Sequence, residues 1–366
     1  MALLPFPVGN AIMILVGAVL IYLALKKGYE PLLLIPIGFG AILVNLPYGG
    51  LMDEGGILKI IYDAGILTEI FPILIFVGIG AMTDFGPLLE RPSLMLFSIP
   101  AQLGISAAFL AAYLIGFTPY EAMSVGIIGA MDGPTAIYVT SHFAPSLLGP
   151  VTICAYSYMS MIPILQVPLS KFWISKKERL ARMKYTPSKY PQSIRVIFPI
   201  FVTIVAGVVA PKGIPLIGSL MLGNFLRESG VVDRLAKSAE NEISNVTLLL
   251  LGVTIGGTMM ADQFLNLRTL LIFGLGLFAF VIGLSAGLLT GKAAYYLSHG
   301  KINPLIGATG VSAFPMAART AHMIGRSEDP DNWLLMHAMA ANTGGQIASV
   351  VAGGAMLSLA PMFLGV

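Results

Sequence analysis

The polar group best placed for chemistry in this chain is Asp132, which lies in an apolar stretch and directly precedes a Gly-Pro step. An aspartate at the centre of a membrane helix costs roughly 2.5–3.5 kcal/mol on insertion scales, so it normally faces a cavity, a partner or an ion. The Gly133-Pro134 step frees backbone groups at the same depth, which is tolerated where they line a polar site. Hard cations such as Na⁺ prefer oxygen ligands, and Thr135 offers a hydroxyl. We therefore predict a cation or proton site; the alternative is a carboxylate held by backbone amides.

A cluster of hydroxyl groups follows this motif along the chain. Four of them fall within the five residues 156–160, at Tyr156, Ser157, Tyr158 and Ser160. The two tyrosines lie on different faces of a helix, so at most one of them points easily at Asp132. A phenol can donate a proton. The cluster predicts a polar lining, and the alternative is a pair of tyrosines at the membrane interface.

The second half of the chain carries a related polar element that ends in a proline and an arginine. Pro315 breaks this helix, and Arg319 follows one turn later. Arg319 either snorkels from a helix end or receives an anionic substrate at the mouth of a site. Asn342, in the last long apolar run, is a further candidate ion ligand. The neutral oxygens that precede the break come from Asn303, Thr309 and Ser312.

The composition places these groups in a membrane protein. Of the 366 residues, 56% are hydrophobic and 11% charged, whereas soluble domains carry about 25% charged residues. Recurrent apolar runs predict an all-α polytopic fold with roughly ten to twelve membrane segments. The single cysteine, Cys154, excludes an intramolecular disulfide framework. The sequence has neither a nucleotide-binding fingerprint nor a basic-aromatic patch for nucleic acid, so nucleotide hydrolysis does not supply the energy here.

A basic segment divides the chain into two halves. Residues 171–195 carry eight lysines and arginines against one acid, Glu178. The positive-inside rule makes this segment a solvated cytoplasmic linker, and a docking surface for an acidic partner is the alternative. The first apolar run is followed by Lys26 and Lys27, which places the N-terminus outside.

The flanking halves, 1–170 and 196–366, resemble each other. Residues 40–45 match 218–224, and the stretch that ends at Asp84 matches the one that ends at Asp262. Because the first half begins outside and the second inside, the sequence predicts an inverted repeat, as in many secondary transporters. We expect the broken or re-entrant helices of such a fold at 124–149 and 303–325, meeting near the midplane.

Five segments spread along the chain form specific motifs. They are Leu34-Ile-Pro-Ile-Gly-Phe-Gly, Ile79-Gly-Ala-Met-Thr-Asp84-Phe-Gly-Pro, Met131-Asp132-Gly-Pro-Thr-Ala-Ile-Tyr, Ala155-Tyr156-Ser-Tyr158-Met and Asn303-Pro-Leu-Ile-Gly-Ala with the later Ser312 and Arg319. Together they resemble the β subunit of the biotin-dependent sodium-pumping decarboxylases, over nearly the whole chain. That family includes the oxaloacetate, methylmalonyl-CoA, glutaconyl-CoA and malonate decarboxylase systems. The chain length favours the acyl-CoA or malonate types.

The resemblance implies a membrane subunit that decarboxylates carboxybiotin, consumes a proton and exports Na⁺. The implied partners are a biotin carrier subunit that brings the carboxybiotin, a carboxyltransferase α subunit and a small membrane subunit, in an oligomeric assembly of the inner (plasma) membrane. Family roles fall on Asp132, Tyr158, Asn303, Gly307, Ser312 and Arg319. We take Tyr158 or Asp132 as the proton donor and Arg319 as the carboxybiotin contact. The predicted Na⁺ ligands are Asp132, Thr135, Asn303, Gly307, Ser312 and Asn342.

Two other functions fit the same pattern of residues. A Na⁺-coupled secondary transporter of an organic anion would use this inverted repeat without breaking a bond, because a fold does not fix a function. A channel fits less well, since a buried charge between paired helix breaks suits occlusion of an ion better than a continuous pore.

Overall fold

The computed structural model describes residues 7–28, 30–184 and 190–364. Within these ranges the chain is helical and contains no β-strand. The predicted class, an all-α polytopic membrane protein, is confirmed. Parts of the predicted halves and linker, namely residues 1–6, 29, 185–189 and 365–366, lie outside the described ranges.

Helices of the first half and of the start of the linker are mostly short and are often interrupted by proline or glycine. They are α1 Val8–Lys27, α2 Pro31–Val44, α3 Ile57–Ile61, α4 Ile70–Met82, α5 Gly86–Glu90, α6 Ser98–Ala101, α7 Leu103–Ile115, α8 Pro119–Gly126, α9 Gly133–Phe143, α10 Leu148–Ser160, α11 Ile162–Trp173 and α12 Lys176–Arg179. Short 3₁₀ or π segments connect several of them, at Tyr62–Leu67, Pro92–Phe97, Ile127–Ala130 and Pro145–Leu147.

The helices that follow, of which α13 begins within the linker, include the two longest of the described chain. They are α13 Gln192–Val209, α14 Ile214–Ser229, α15 Asp233–Ser238, α16 Ser244–Gly257, α17 Ala261–Phe264, α18 Leu267–Leu297, α19 Met316–Glu328 and α20 Leu335–Leu364. The 3₁₀ and π segments of this half are Pro211–Gly213, Ala239–Ile243 and Pro304–Gly310.

Length and apolar composition identify five helical stretches of the described chain as candidate membrane spans, or up to seven if each of two bent pairs counts as one span. Each bent pair turns by 61° at its break. The roughly ten to twelve segments predicted from the sequence also include shorter apolar helices such as α2. The five long spans are Val8–Lys27, Pro92–Ile115, Gln192–Val209, Leu267–Leu297 and Leu335–Ala360.

Two helix pairs join the halves, because α2 packs on α16 and α4 packs on α14. Glycines allow both close approaches. A Cβ at Gly40 would lie 2.1 Å from the carbonyl oxygen of Val253, and one at Gly80 would lie 1.9 Å from that of Leu220. Small residues at membrane helix crossings let backbones approach in this way.

Two asparagines from the segments matched in the sequence cap these helix pairs. Asn45 donates its side-chain amide to the carbonyl of Met259 at 2.8 Å, just beyond α16. Asn224 donates its amide to the carbonyl of Thr83 at 2.9 Å, just beyond α4. Each asparagine therefore satisfies a backbone carbonyl that the end of a helix leaves without an intrahelical partner.

Both predicted broken helices fold back on themselves. The first, predicted at 124–149, covers residues 119–143 in the structure and brings the rings of Tyr120 and Phe143 to 5.6 Å between centroids, so its two ends meet. The second, residues 303–328, has both ends on one residue, Arg179. We call these elements the first hairpin and the second hairpin. Each presents a non-helical stretch at its tip, and both tips are buried in the largest hydrophobic cluster.

Candidate functional site

Asp132 lies at the tip of the first hairpin, between the 3₁₀ segment Ile127–Ala130 and the helix α9. The preceding residue, Met131, has a left-handed backbone with φ of 57°, which ends the 3₁₀ turn. Asp132 is extended and acts as the N-cap of α9, where its Oδ1 accepts a hydrogen bond from the Thr135 amide at 3.4 Å. The residue is only 5% exposed. The Gly-Pro step thus starts a helix at a buried carboxylate, as the sequence predicts.

Two serines from the second half reach the other oxygen of this carboxylate. Ser312, at the tip of the second hairpin, donates to Oδ2 at 3.1 Å. Ser349, on α20, lies 2.7 Å from the same oxygen and 3.0 Å from the Ser312 hydroxyl. Three separate elements therefore converge on one buried carboxylate.

Further oxygen atoms close to this cluster have no hydrogen-bond partner among the described residues. The Thr135 hydroxyl is buried beside the Asp132 carboxylate and has no partner that meets hydrogen-bond geometry. The Asn342 amide donates to the carbonyl of Val311 at 2.6 Å, next to Ser312, while its Oδ1 is buried and unpaired. Buried oxygens are normally satisfied. A carboxylate flanked by unsatisfied neutral oxygens fits a hard cation such as Na⁺.

A cavity of about 610 Å³ leads to Asp132. Of the described residues that line it, Arg319 carries a positive charge, whereas Glu30, Asp84 and Glu240 carry negative charges like Asp132. Arg319 is exposed and makes no hydrogen bond or ion pair with any described residue. The cavity can therefore admit cations and presents a free guanidinium to an anion, as the sequence predicts for the mouth of a site.

The structure brings Tyr156, not Tyr158, to Asp132. The Tyr156 ring lies against Gly133, where an added Cβ would approach it to 2.1 Å, and it lines the cavity. Its buried hydroxyl has no partner in the described chain. Tyr158 points to α18 instead: its hydroxyl donates to the carbonyl of Phe273 at 2.8 Å, and its ring packs edge-on against Phe280.

Asn303 and Gly307 lie in the second hairpin but do not contact the Asp132 carboxylate. Asn303 caps the 3₁₀ segment, where its Oδ1 accepts from the Leu305 amide at 3.0 Å, and its Nδ2 donates to two carbonyls of the linker. Gly307 packs on α18, where an added Cβ would lie 2.0 Å from the carbonyl oxygen of Gly287. The side chain of Asn303 is fully hydrogen-bonded, and Gly307 allows the hairpin and α18 to pack closely. In this structure neither residue is therefore placed as a ligand of an ion at Asp132.

Part of the linker is packed against the second hairpin. Glu178 and Arg179 are 4% and 8% exposed, so the expectation of a solvated segment is wrong for these two residues. Hydrogen bonds from Arg179 hold the pKa of the Glu328 carboxyl below its usual value. Arg182 forms a bidentate pair with Asp329, at 2.6 and 2.8 Å. The basic side chains that stay exposed in the described part of the linker belong to Lys171, Lys176, Lys177, Arg182, Lys184 and Arg195.

Two residues of this site were not among the predicted ligands or catalytic groups. Ser349 belongs to a polar stretch of α20 with several equivalent candidates, and its helix face is fixed by the packing of that helix. The phase of α10 likewise decides between Tyr156 and Tyr158. The available signal was the run of polar residues within otherwise apolar segments.

The chain is similar to known proteins over nearly its whole length. A family model described as Na⁺-transporting oxaloacetate decarboxylase beta subunit matches residues 9–360. The glutaconyl-CoA decarboxylase subunit beta of Acidaminococcus fermentans is 49% identical over 97% of this chain and 94% of its own length. The methylmalonyl-CoA decarboxylase subunit beta of Veillonella parvula is 48% identical over the same shares. The oxaloacetate decarboxylase beta chain of Klebsiella pneumoniae is 39% identical over 95% of this chain and 94% of its own length.

Proposed function

The chain belongs to the family of Na⁺-transporting oxaloacetate decarboxylase beta subunits, and from this premise we propose that it decarboxylates carboxybiotin and couples the reaction to Na⁺ export. One proton is consumed for each carboxyl group released. The β subunit is the membrane component of these decarboxylases. In this proposal its own residues couple the reaction to ion transport.

The observation that carries this proposal is the convergence on Asp132. Its carboxylate is buried, is held by two serines of the second half, and has unpaired neutral oxygens nearby. A buried carboxylate is most stable when a proton or a cation neutralises it. Asp132 therefore holds either a proton or Na⁺, with Thr135, Ser312, Ser349 and Asn342 as the further ligands. Exchange of one for the other couples proton delivery to ion transport.

Decarboxylation requires that one cavity both binds the carboxylate of carboxybiotin and supplies a proton. Decarboxylation breaks the bond between the carboxyl carbon and the ureido nitrogen, CO₂ leaves, and the nitrogen takes up a proton with the electron pair that remains. Arg319 receives the carboxylate of the substrate at the cavity mouth. Na⁺ arriving at Asp132 releases its proton into the cavity, where Tyr156 offers a hydroxyl to relay it.

The orientation and the repeat are part of the same proposal. The basic linker is cytoplasmic, and the halves 1–170 and 196–366 are inverted repeats whose hairpins enter from opposite sides of the inner membrane. Support comes from the two tips that meet at Asp132 and from the paired packing of α2 on α16 and α4 on α14. Arg195, the last basic residue of the linker, contacts Asp84 at the cavity, so carboxybiotin on a cytoplasmic carrier would reach the cavity from the linker side.

The upstream substrate is an acyl-CoA in this proposal. The two relatives that act on acyl-CoA substrates by name are 48–49% identical to the chain, whereas the oxaloacetate relative is 39% identical. A carboxyltransferase α subunit would load the biotin of a carrier subunit, and a small membrane subunit completes the oligomeric assembly.

The direct test is CO₂ release from carboxybiotin by the purified complex in Na⁺, with K⁺ at the same ionic strength as the control. The proposal expects release that is stimulated by Na⁺ and abolished in Asp132→Asn. Asp84→Asn, which changes a half-buried acid of the same cavity that does not contact Asp132, should retain the stimulation. Na⁺ flux without any CO₂ release would instead support the secondary transporter on the same fold.

A further inference from the structure

Both ends of the second hairpin are fastened to a single linker residue, Arg179. At the start of the hairpin, Asn303 donates its side-chain amide to the Arg179 carbonyl at 2.9 Å. At its end, Glu328 accepts from the Arg179 guanidinium, from Nε at 3.0 Å and from Nη2 at 2.6 Å. Asn332, just beyond the hairpin, donates to the same carbonyl at 3.0 Å. Backbone and side chain of one residue thus close the base of the hairpin.

This contact is sheltered from solvent. The Arg179 and Glu328 side chains are only 10% and 14% exposed. The third guanidinium nitrogen, Nη1, donates to the carbonyl of Ile174, so the orientation of the fork is fixed. Sheltered, charge-assisted hydrogen bonds of this kind are among the stronger polar contacts in proteins, and screening by salt weakens them little.

The segment that carries Arg179 is itself attached to the long helix α18. Glu178 accepts a hydrogen bond from the Tyr296 hydroxyl at 2.8 Å. The Trp173 indole donates to the Ser285 hydroxyl at 3.0 Å, and Lys292 donates to the Trp173 carbonyl at 2.9 Å. Arg179 therefore connects the second hairpin to a segment that is itself hydrogen-bonded to α18.

We propose that Arg179 is a positioning residue for the ion site: by clasping the two ends of the second hairpin, it sets the depth at which Ser312 meets Asp132. The inference rests on the proposed function of Asp132 as the Na⁺ site. It gives Asn303, whose side chain does not reach the carboxylate, a role in that site through the clasp. It also assigns a function to the buried part of a linker that is otherwise basic and exposed.

The test measures how Na⁺ raises the unfolding temperature of the purified complex, together with the half-saturating Na⁺ concentration, since a ligand that binds the folded state stabilises it by mass action. The variants are Arg179→Gln, Glu328→Gln and their combination. Lys177→Gln is the matched control, because it removes a positive charge from the same segment at an exposed side chain that makes no ion pair with any described residue.

We expect half-saturating Na⁺ to rise about tenfold in Arg179→Gln and in Glu328→Gln, which corresponds to about 1.4 kcal/mol. The double variant should be no worse than the single ones, since both changes remove the same clasp. The control should stay within about twofold. Unchanged half-saturating Na⁺ in the folded variants, or fully additive effects in the double variant, would overturn the proposal.

A second measurement does not depend on Na⁺ binding or turnover. In a Cys154→Ala background, Phe314→Cys places a thiol at the hairpin tip, where Phe314 lines the cavity. Its labelling rate with a water-soluble maleimide should change several-fold in Arg179→Gln and not in Lys177→Gln. If the wild-type complex shows no Na⁺ response, the proposed function fails, and the labelling rate alone decides whether the clasp positions the tip: equal rates in all variants would refute it.

Discussion

The hydroxyl of Ser349 lies 2.7 Å from the Asp132 carboxylate, although the two residues are 217 positions apart. Ser349 belongs to α20, Asp132 to the first hairpin, and Ser312 of the second hairpin lies 3.0 Å from Ser349. The site thus depends on the relative placement of three elements, and a shift of either hairpin would break it. An ion held here is sensitive to the conformation of both halves, as coupling of transport to a reaction requires.

The two serines should contribute comparably to Na⁺ binding. Ser349→Ala and Ser312→Ala each remove one hydroxyl from the buried carboxylate, and hydrogen bonds to charged groups contribute about 1.5–3 kcal/mol. Half-saturating Na⁺ for CO₂ release should therefore rise by about tenfold or more in each variant. Ser358→Ala, on the same helix but hydrogen-bonded to a backbone carbonyl, is the control. Wild-type Na⁺ dependence in Ser349→Ala would exclude this serine from the ion site.

Substitutions of the two tyrosines of α10 should affect different measured quantities. Tyr156→Phe removes the hydroxyl that we propose as the proton relay beside Asp132, so we expect the rate of Na⁺-dependent CO₂ release to fall by about 100-fold or more. Tyr158→Phe removes the hydrogen bond to the Phe273 carbonyl, which should lower the free energy of unfolding by about 1 kcal/mol and leave half-saturating Na⁺ within about twofold. The reverse pattern would show that Tyr158 reaches the ion site and that the assignment of Tyr156 is wrong.

Arg319 should act on the substrate anion more than on Na⁺. Arg319→Gln removes the free guanidinium at the cavity, and Arg319→Lys keeps the charge without the planar fork. We expect KM for carboxybiotin to rise about tenfold or more in the first variant and less in the second, with half-saturating Na⁺ nearly unchanged. Arg326→Gln is the control. Arg326 belongs to the same helix as Arg319, but it lies over the Trp333 ring and does not line the cavity. An unaltered KM in Arg319→Gln would remove this residue from the carboxybiotin site.

Gly307 should behave as a packing residue. In Gly307→Ala the new methyl group meets the Gly287 carbonyl oxygen at about 2.0 Å, and overpacking of this kind destabilises a fold by about 1–3 kcal/mol. Gly274→Ala provides the contrast within α18, because an added Cβ has no atom within 4 Å there. Its unfolding temperature should stay level or rise slightly. Equal unfolding temperatures for the two variants would mean that the crossing of the second hairpin and α18 tolerates a side chain.

The sequence predicts much of this architecture because the relevant signals are local. The Gly-Pro step after Asp132 and the proline at 315 mark the two hairpin tips, and a buried carboxylate needs polar partners, which Ser312 supplies. The paired asparagines, Asn45 and Asn224, are visible as matching positions in the two halves. These features need no knowledge of how the helices rotate against each other.

Two kinds of feature could not be predicted from the sequence. One is the rotation of a helix about its axis, and the other is the choice of partner by a side chain that has several possible partners. A rotation of α10 decides whether Tyr156 or Tyr158 faces Asp132, and both fit an amphipathic pattern. Asn303 offers the same amide to an ion or to a backbone carbonyl, and the packing of the linker against the hairpin selects the carbonyl. The choice of Ser349 over its polar neighbours in α20 likewise follows from tertiary contacts.

If decarboxylation and Na⁺ transport share Asp132, a single substitution there should stop both, and both can be measured in one preparation. The complex is reconstituted in liposomes, and CO₂ release and ²²Na⁺ flux are followed together in the wild type and in Asp132→Asn. We expect Na⁺-stimulated CO₂ release with matching flux in the wild type, and loss of both in the variant. CO₂ release that remains Na⁺-dependent and coupled to flux in Asp132→Asn would contradict a shared role of Asp132.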